Sequence, residues 1–471
     1  MARRPGFGLL AAAWPLVACF AALLALDLAG FGPTPGAPGA GVSFLLILVL
    51  AFAALWWGLR RLGAAKGSPR EVPVAGILAV AVVLRLLALP LTPSLSDDVY
   101  RYLWDGRVAA SGSNPYLLTP DDESLAGLRD DLWSKAGHRE IATVYPPLAL
   151  GVFAGATVLP EPLLAYKLAL AGVDLAGCVL LLALARRRGN GLVALAYVWN
   201  PLLVVEGAGM GHVDVLGASL VIACVWLLSV GRNAAAAGAA AFAVLAKLVP
   251  LVALPLWWRS VRRRGQRMFA AGTAGLLLPA TVAVLLWTRG VPPGLVEYAL
   301  RWEYNGPFYE PLWRLIGVLR LDLAASGVVH LVRVIFGGDV EETPWSTLYS
   351  YAYPQFLARL VLLVAAAVLW LRLWRRRPEP VQAAFGVFGV VLLMSPTFYP
   401  WYLIWILPWA ALTGARAVLV LAATLPLAYL PALAGLPYFP WVYGAVWLPP
   451  MTLLLLERRR RGNARPEPPS R

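Results

Sequence analysis

Val42-Ser-Phe-Leu-Leu-Ile-Leu-Val-Leu-Ala-Phe-Ala-Ala-Leu-Trp-Trp-Gly-Leu59 carries no charge over its whole length and is closed at once by Arg60-Arg61. A helix rises about 1.5 Å per residue, so about 20 apolar residues cross the hydrocarbon layer of a bilayer. A basic pair directly after such a run marks a cytoplasmic end. The run is therefore read as a membrane span that ends inside, and it sets the frame for its neighbours. The apolar stretch from about Leu9 to Leu28, preceded by Arg3-Arg4, starts inside and leads out. The stretch from about Pro73 to Leu91 leaves the inside again.

The same unit recurs along the chain. Arginines cluster at Arg186–Arg188, Arg262–Arg264, Arg375–Arg377 and Arg458–Arg461, each time at the edge of an apolar run. Further spans are expected near Leu163–Ala185, Leu192–Val205, Val215–Val230, Phe269–Trp287, Gln355–Trp374, Val381–Ser395, Trp401–Leu412, Ala417–Leu433 and Trp441–Leu456. Pro146–Leu159 is too short to span and reads as a re-entrant or tilted piece. Ala234–Trp258 is too short for two helices and reads as a hairpin broken at Lys247 and Pro250. The fold class is an all-α polytopic transmembrane bundle of roughly 12 to 14 membrane segments, both termini cytoplasmic, in the inner (plasma) membrane. Residues 1–457 read as one membrane domain and 458–471 as a basic, disordered cytoplasmic tail.

Composition agrees. Of 471 residues, 60% are hydrophobic and 14% charged, against about 25% charged in a soluble domain. The net charge of +15 sits in short loop clusters, which argues for membrane anchoring and against a nucleic-acid surface. Cys19, Cys178 and Cys224 all lie in apolar runs and read as small buried hydrophobes. With His138, His212 and His330 as the only histidines, a multi-histidine metal site is not expected. The leading apolar run is read as an uncleaved first helix rather than a signal peptide.

Two polar stretches interrupt the pattern, 92–145 and 289–353, and both fall outside. The first is the long extracytoplasmic loop and carries short interfacial helices. Its densest element is Ser96-Asp-Asp-Val-Tyr-Arg-Tyr-Leu-Trp-Asp-Gly-Arg107. As a helix it pairs Asp98 with Tyr102, Asp97 with Arg101 and Arg101 with Asp105. A carboxylate held beside such groups accepts a hydroxyl proton or binds sugar hydroxyls; equally, the segment is a solvated, salt-bridged helix capped by Ser96. Lys247 interrupts an apolar run at the same depth. It meets a lipid phosphate, or it snorkels to headgroups. His212 and Asp214 flank a glycine-rich turn, where they contact substrate or the Asp caps the next helix. Ser395-Pro-Thr-Phe-Tyr-Pro-Trp-Tyr402 either stacks on sugar rings or forms an interfacial aromatic belt. These groups come from distant parts of the chain yet share one face.

The loop element, followed by Gly112-Ser-Asn-Pro-Tyr116, resembles the first outer loop of the GT-C glycosyltransferases. The likeness is to polyprenol-phosphate-mannose-dependent mannosyltransferases and the glycosyltransferase 87 group. Tyr145-Pro-Pro-Leu148, Trp199-Asn-Pro201, Gly211-His-Val-Asp214, Lys247 in Ala-Lys-Leu-Val-Pro, and Trp302-Glu-Tyr-Asn-Gly306 follow in the expected order.

The resemblance implies transfer of a hexose, mannose by preference, from a polyprenyl-phosphate carrier to a hydroxyl of a glycolipid or polysaccharide. Transfer is expected on the outer side and with inversion. By the same resemblance Asp98, or its neighbour Asp97, is the base. Lys247 and Arg301 hold the departing phosphate. His212 and Asp214 line the sugar or acceptor, with Arg101, Tyr102, Tyr145 and Asn305 completing the substrate contacts. The adjacent carboxylates allow a divalent metal without requiring one. The competing readings are a transporter or flippase of lipid-linked sugars, which predicts polar groups through the full membrane depth, and an assembly protein indifferent to changes at Asp97 and Asp98.

Overall fold

A computed structural model describes residues 5–33, 38–64, 73–189, 191–337, 339 and 345–463. Among them there is helix and turn but no strand. Seven helices are long and apolar enough to cross a membrane, among them Gly39–Gly63, which contains the run quoted first, and Pro162–Arg187. Two bent pairs add to these: Gly191–Val198 with Pro201–Gly209, bent by 48°, and Tyr309–Val318 with Leu321–Phe336, bent by 71°. Five apolar helices are shorter: Val74–Ala88, Pro147–Thr157, Asp214–Ser229, Asn233–Ala246 and Pro380–Met394. The protein is an all-α polytopic membrane bundle.

The breaks follow from local chemistry. Asn200 accepts the Leu202 N–H and Pro201 opens the next turn, an N-cap followed by a proline at the first helical position. The helix Asn233–Ala246 stops where Lys247 turns extended, and a tight turn at Val249–Ala253 leads into Leu254–Ser260. Pro147–Thr157 has 11 residues, about 16 Å of helix. The stretch 289–353, read from sequence as an outer loop, is helical over Pro293–Arg301, Tyr309–Val318, Leu321–Phe336 and Trp345–Ser350. Its apolar residues recur at helical spacing but are divided among short pieces, so no single long run marks them. The final helix continues to Asn463; the rest of the basic tail, 464–471, and Arg3-Arg4 lie outside the described residues.

One ion pair ties the bundle at depth. Arg85 Nε donates to Asp174 Oδ2 at 2.8 Å, and its other nitrogens reach the Val198 carbonyl at 2.6 Å and Cys178 Sγ at 3.6 Å. Both charges are buried.

The arginine clusters and the unusual polar groups occupy opposite ends of the helices. Pro162–Arg187 ends at the cluster 186–188, Arg263–Thr288 begins in the cluster 262–264, and Pro354–Arg376 ends at 375–377. At the other end lie the loop helix Asp98–Ala110, Lys247, and the tight turn Pro400–Trp405.

Candidate active site

A cavity of about 260 Å³ opens at that second end. It is lined by Asp97, Asp98 and Tyr145 from the stretch 92–145, by Trp302 and Tyr304 from the stretch 289–353, and by Lys247 and the 399–402 turn.

The loop helix starts where Ser96 Oγ accepts the Asp98 N–H at 3.2 Å. Its approach is anchored twice: Asp27 accepts from the Thr92 N–H and hydroxyl, and buried Lys167 donates to the Leu91 carbonyl at 2.8 Å. The Tyr102 hydroxyl donates to Asp98 Oδ2 at 3.1 Å. Its ring is fully buried, stacked on Phe153 at 4.8 Å with Tyr145 edge-on at 4.9 Å. Gly106 allows this packing, because a Cβ there would collide with the Phe153 backbone. The Asp98 carboxylate is thus held from behind by a ring that cannot turn.

Asp97 points a different way. Its carboxylate lies against Gly137, where a Cβ would collide with it. Desolvation first, and the neighbouring Asp98 charge second, raise its pKa above the ordinary carboxylate value.

Arg101 lines the cavity, but each of its three nitrogens is already bonded within the protein. Nε pairs with Asp105 at 2.8 Å, and the guanidinium reaches the carbonyls of His138 and Ile141, each at 2.5 Å. It fastens the 137–141 segment over the loop helix. That segment brings His138 into the cavity, packed on Trp302 with ring centroids 4.7 Å apart.

Lys247 Nζ donates to both oxygens of Asp214, at 2.8 and 2.7 Å, and lies 4.5 Å from the centroid of the Tyr402 ring. Asp214 also accepts from the Trp405 indole at 2.6 Å and is fully buried. An ammonium has three donors; with two used on Asp214, one is left for the cavity. The carboxylate sits behind Lys247.

Tyr102 and Asp214, behind Asp98 and Lys247, do not line the cavity, and neither do three other sequence candidates, His212, Asn305 and Arg301. His212 is fully buried, its ring stacked at 3.8 Å behind Trp401. Asn305 is buried with positive φ. Its amide donates to the Phe398 carbonyl, and its oxygen accepts from Tyr438 and Trp447. Arg301 is 76% exposed and pairs with Glu297 on its own helix. Tyr399, Trp401 and Tyr402 line the cavity, the first two stacked and Tyr402 edge-on to both, rather than forming a lipid-facing belt. Among the described residues no three His, Cys, Asp or Glu side chains converge as a metal site.

Residues 143–396, more than half of the chain, match the family described as glycosyltransferase family 87. The chain belongs to glycosyltransferase family 87. Residues 9–261 also match the family described as alpha-(1->6)-mannopyranosyltransferase, N-terminal domain. Alpha-(1->6)-mannopyranosyltransferase A of Mycobacterium tuberculosis is 29% identical over 412 residues, covering 80% of this chain and 74% of that protein. The protein of the same name in Corynebacterium glutamicum is 23% identical, covering 80% and 79%. No solved structure matches. Against the sequence reading, this membrane glycosyltransferase adds His138, Tyr298 and Tyr429 to the cavity lining. None stands in a motif. His138 had one signal, its place in the same outer loop as the two carboxylates; Tyr298 and Tyr429 had none.

Proposed function

We propose that this family 87 glycosyltransferase moves a mannosyl group from a polyprenyl-phosphate carrier to a hydroxyl of a glycolipid or polysaccharide. The reaction takes place at the extracytoplasmic face of the inner membrane, with inversion at the anomeric carbon. The α-(1→6) linkage in the relatives' names is the one assigned to the product.

The observation that carries this reading is the composition of one cavity. It holds Asp98 on a braced rotamer and Lys247 with a donor to spare, on separate segments of the chain. Asp98 takes the acceptor hydroxyl proton as that oxygen bonds to the anomeric carbon. The bond from that carbon to the phosphate oxygen breaks, and the phosphate leaves with the electron pair. Lys247 meets the charge that grows on it. Asp214 neutralises part of the lysine charge and aims it. Arg301, exposed and paired with Glu297, is left out of phosphate binding. The arginine clusters at the opposite helix ends support an outer cavity and cytoplasmic termini.

The test is transfer from radiolabelled polyprenyl-phosphate-mannose in membranes carrying the wild type, Asp98→Asn or Asp97→Asn. Wild-type transfer that falls by at least about 10²-fold in Asp98→Asn, with much of it kept in Asp97→Asn, is the expected result. Loss in Asp97→Asn alone would move the base by one residue. Absence of wild-type transfer with mannose, glucose and arabinose donors would overturn the reading.

A further inference from the structure

The aromatic wall of the cavity is built edge-on. Trp401 has both faces covered, by His212 at 3.8 Å and 12° and by Tyr399 at 4.5 Å and 5°. Tyr399 is covered in turn by Tyr304 at 4.5 Å and 15°. A sugar cannot stack on rings whose faces are already occupied. What such a wall offers is ring edges, the positive side of the aromatic quadrupole, and these favour an oxygen-rich, negative group.

One donor on that edge is the indole N–H of Trp401. Trp401 is 4% exposed and lines the cavity. The buried indoles of Trp199, Trp405 and Trp447 each donate to an acceptor. Those of Trp104 and Trp409 are sealed in the core without one. The Trp401 N–H has no acceptor among the described residues and is not sealed. A donor that is neither bonded nor sealed is free to meet a ligand acceptor.

The ring is also fixed from behind. His212 Nδ1 lies 3.1 Å from both the main-chain carbonyl and a carboxylate oxygen of Glu206, whose other oxygen accepts from the Tyr429 hydroxyl at 2.9 Å. The tight turn that carries Trp401 also sets the Tyr402 ring beside the Lys247 ammonium and the Trp405 indole on Asp214. Two cavity-lining residues with a donor to give, Trp401 neutral and Lys247 cationic, therefore meet at a single turn.

We propose that the Trp401 indole N–H donates a hydrogen bond to a phosphate oxygen of the lipid-linked sugar donor. This rests on the transfer reaction proposed above and adds the second phosphate ligand to Lys247.

The test uses the full-length enzyme in nanodiscs, with polyprenyl monophosphate, which lacks the sugar, as the binding probe. Two variants remove the N–H: Trp401→Phe, and replacement of Trp401 by benzothienylalanine, which keeps shape and stacking if the phenylalanine variant folds poorly. The Kd for polyprenyl monophosphate is expected to rise about tenfold, and the KM for the donor by the same factor, with kcat changed less. An unchanged Kd for the benzothienyl variant overturns the assignment. So does a risen donor KM with unchanged Kd, which would place the N–H on the sugar. A wild type that does not bind polyprenyl monophosphate at all removes the reaction itself, a different failure read in a different sample.

Discussion

Asp97 and Asp98 are neighbours in sequence with different surroundings. Asp98 receives the Tyr102 hydroxyl; Asp97, an exposed residue, presses its carboxylate against Gly137 beside a like charge. Because desolvation raises the Asp97 pKa, the folded protein holds that proton to higher pH than the unfolded chain, whose value is 3.8. Stability therefore falls as pH rises through the window from 3.8 to the folded value, and the penalty is complete above it. Asp97→Asn is expected to melt higher than the wild type at pH 7. The difference should narrow as pH is lowered towards 3.8 and vanish below it, where the wild-type carboxyl is protonated in both states. Thermal aggregation of the detergent-solubilised pair across pH 4–8 measures it. A variant that melts lower at pH 7 would mean Asp97 is held by contacts stronger than its desolvation. The residue types at 96–107 were legible in sequence as a carboxylate-bearing helix, since i, i+4 spacing alone pairs Asp98 with Tyr102. That Arg101 is consumed by backbone carbonyls was not, because its acceptors lie 37 and 40 positions away.

Among the elements, the breaks matter as much as the spans. Lys247 reaches the cavity because its helix ends one residue earlier, and Trp302 does so from the end of Pro293–Arg301. Arg359 holds that second segment from the next long helix, donating to the carbonyls of Ala299 and Trp302 and to Glu303. Deeper in the bundle, Arg85 and Asp174 join Val74–Ala88 to Pro162–Arg187. Removing one member of a buried pair leaves the other uncompensated, at a cost of about 3–5 kcal/mol. Arg85→Ala is expected to lose most folded protein, and Arg85→Ala with Asp174→Ala together to recover part of it. Yield of monodisperse protein after detergent extraction is the measurement; equal yields of the single and double variants would deny the coupling. Sequence showed where these helices end, since Pro, Gly and Arg mark the ends. It did not show which way each helix faces. Arg301, His212 and Asn305 stand at the expected depth but are turned outward or packed one layer behind the cavity.

At the scale of the molecule, one end carries arginine clusters and the other the cavity. The orientation proposed for it is read out by Ala126→Cys, an exposed position of the stretch 92–145, in a background without Cys19, Cys178 and Cys224. Labelling by a membrane-impermeant maleimide is expected in intact cells, and labelling only after permeabilisation would invert the topology. The spans and this polarity were legible because run length and arginine placement are properties of the chain in one dimension. The shared face of residues 97–98, 247 and 399–402 was legible with them; that 138, 298 and 429 join these in one cavity was not. A consequence follows from that single-ended arrangement. In the proposed transfer the proton, the sugar and the phosphate all start and finish at the same leaflet, so no charge is carried through the bilayer in a catalytic cycle. The electrical potential of the cell does no work on the reaction. Its driving force is the group-transfer potential of the sugar–phosphate bond, delivered already charged to that leaflet.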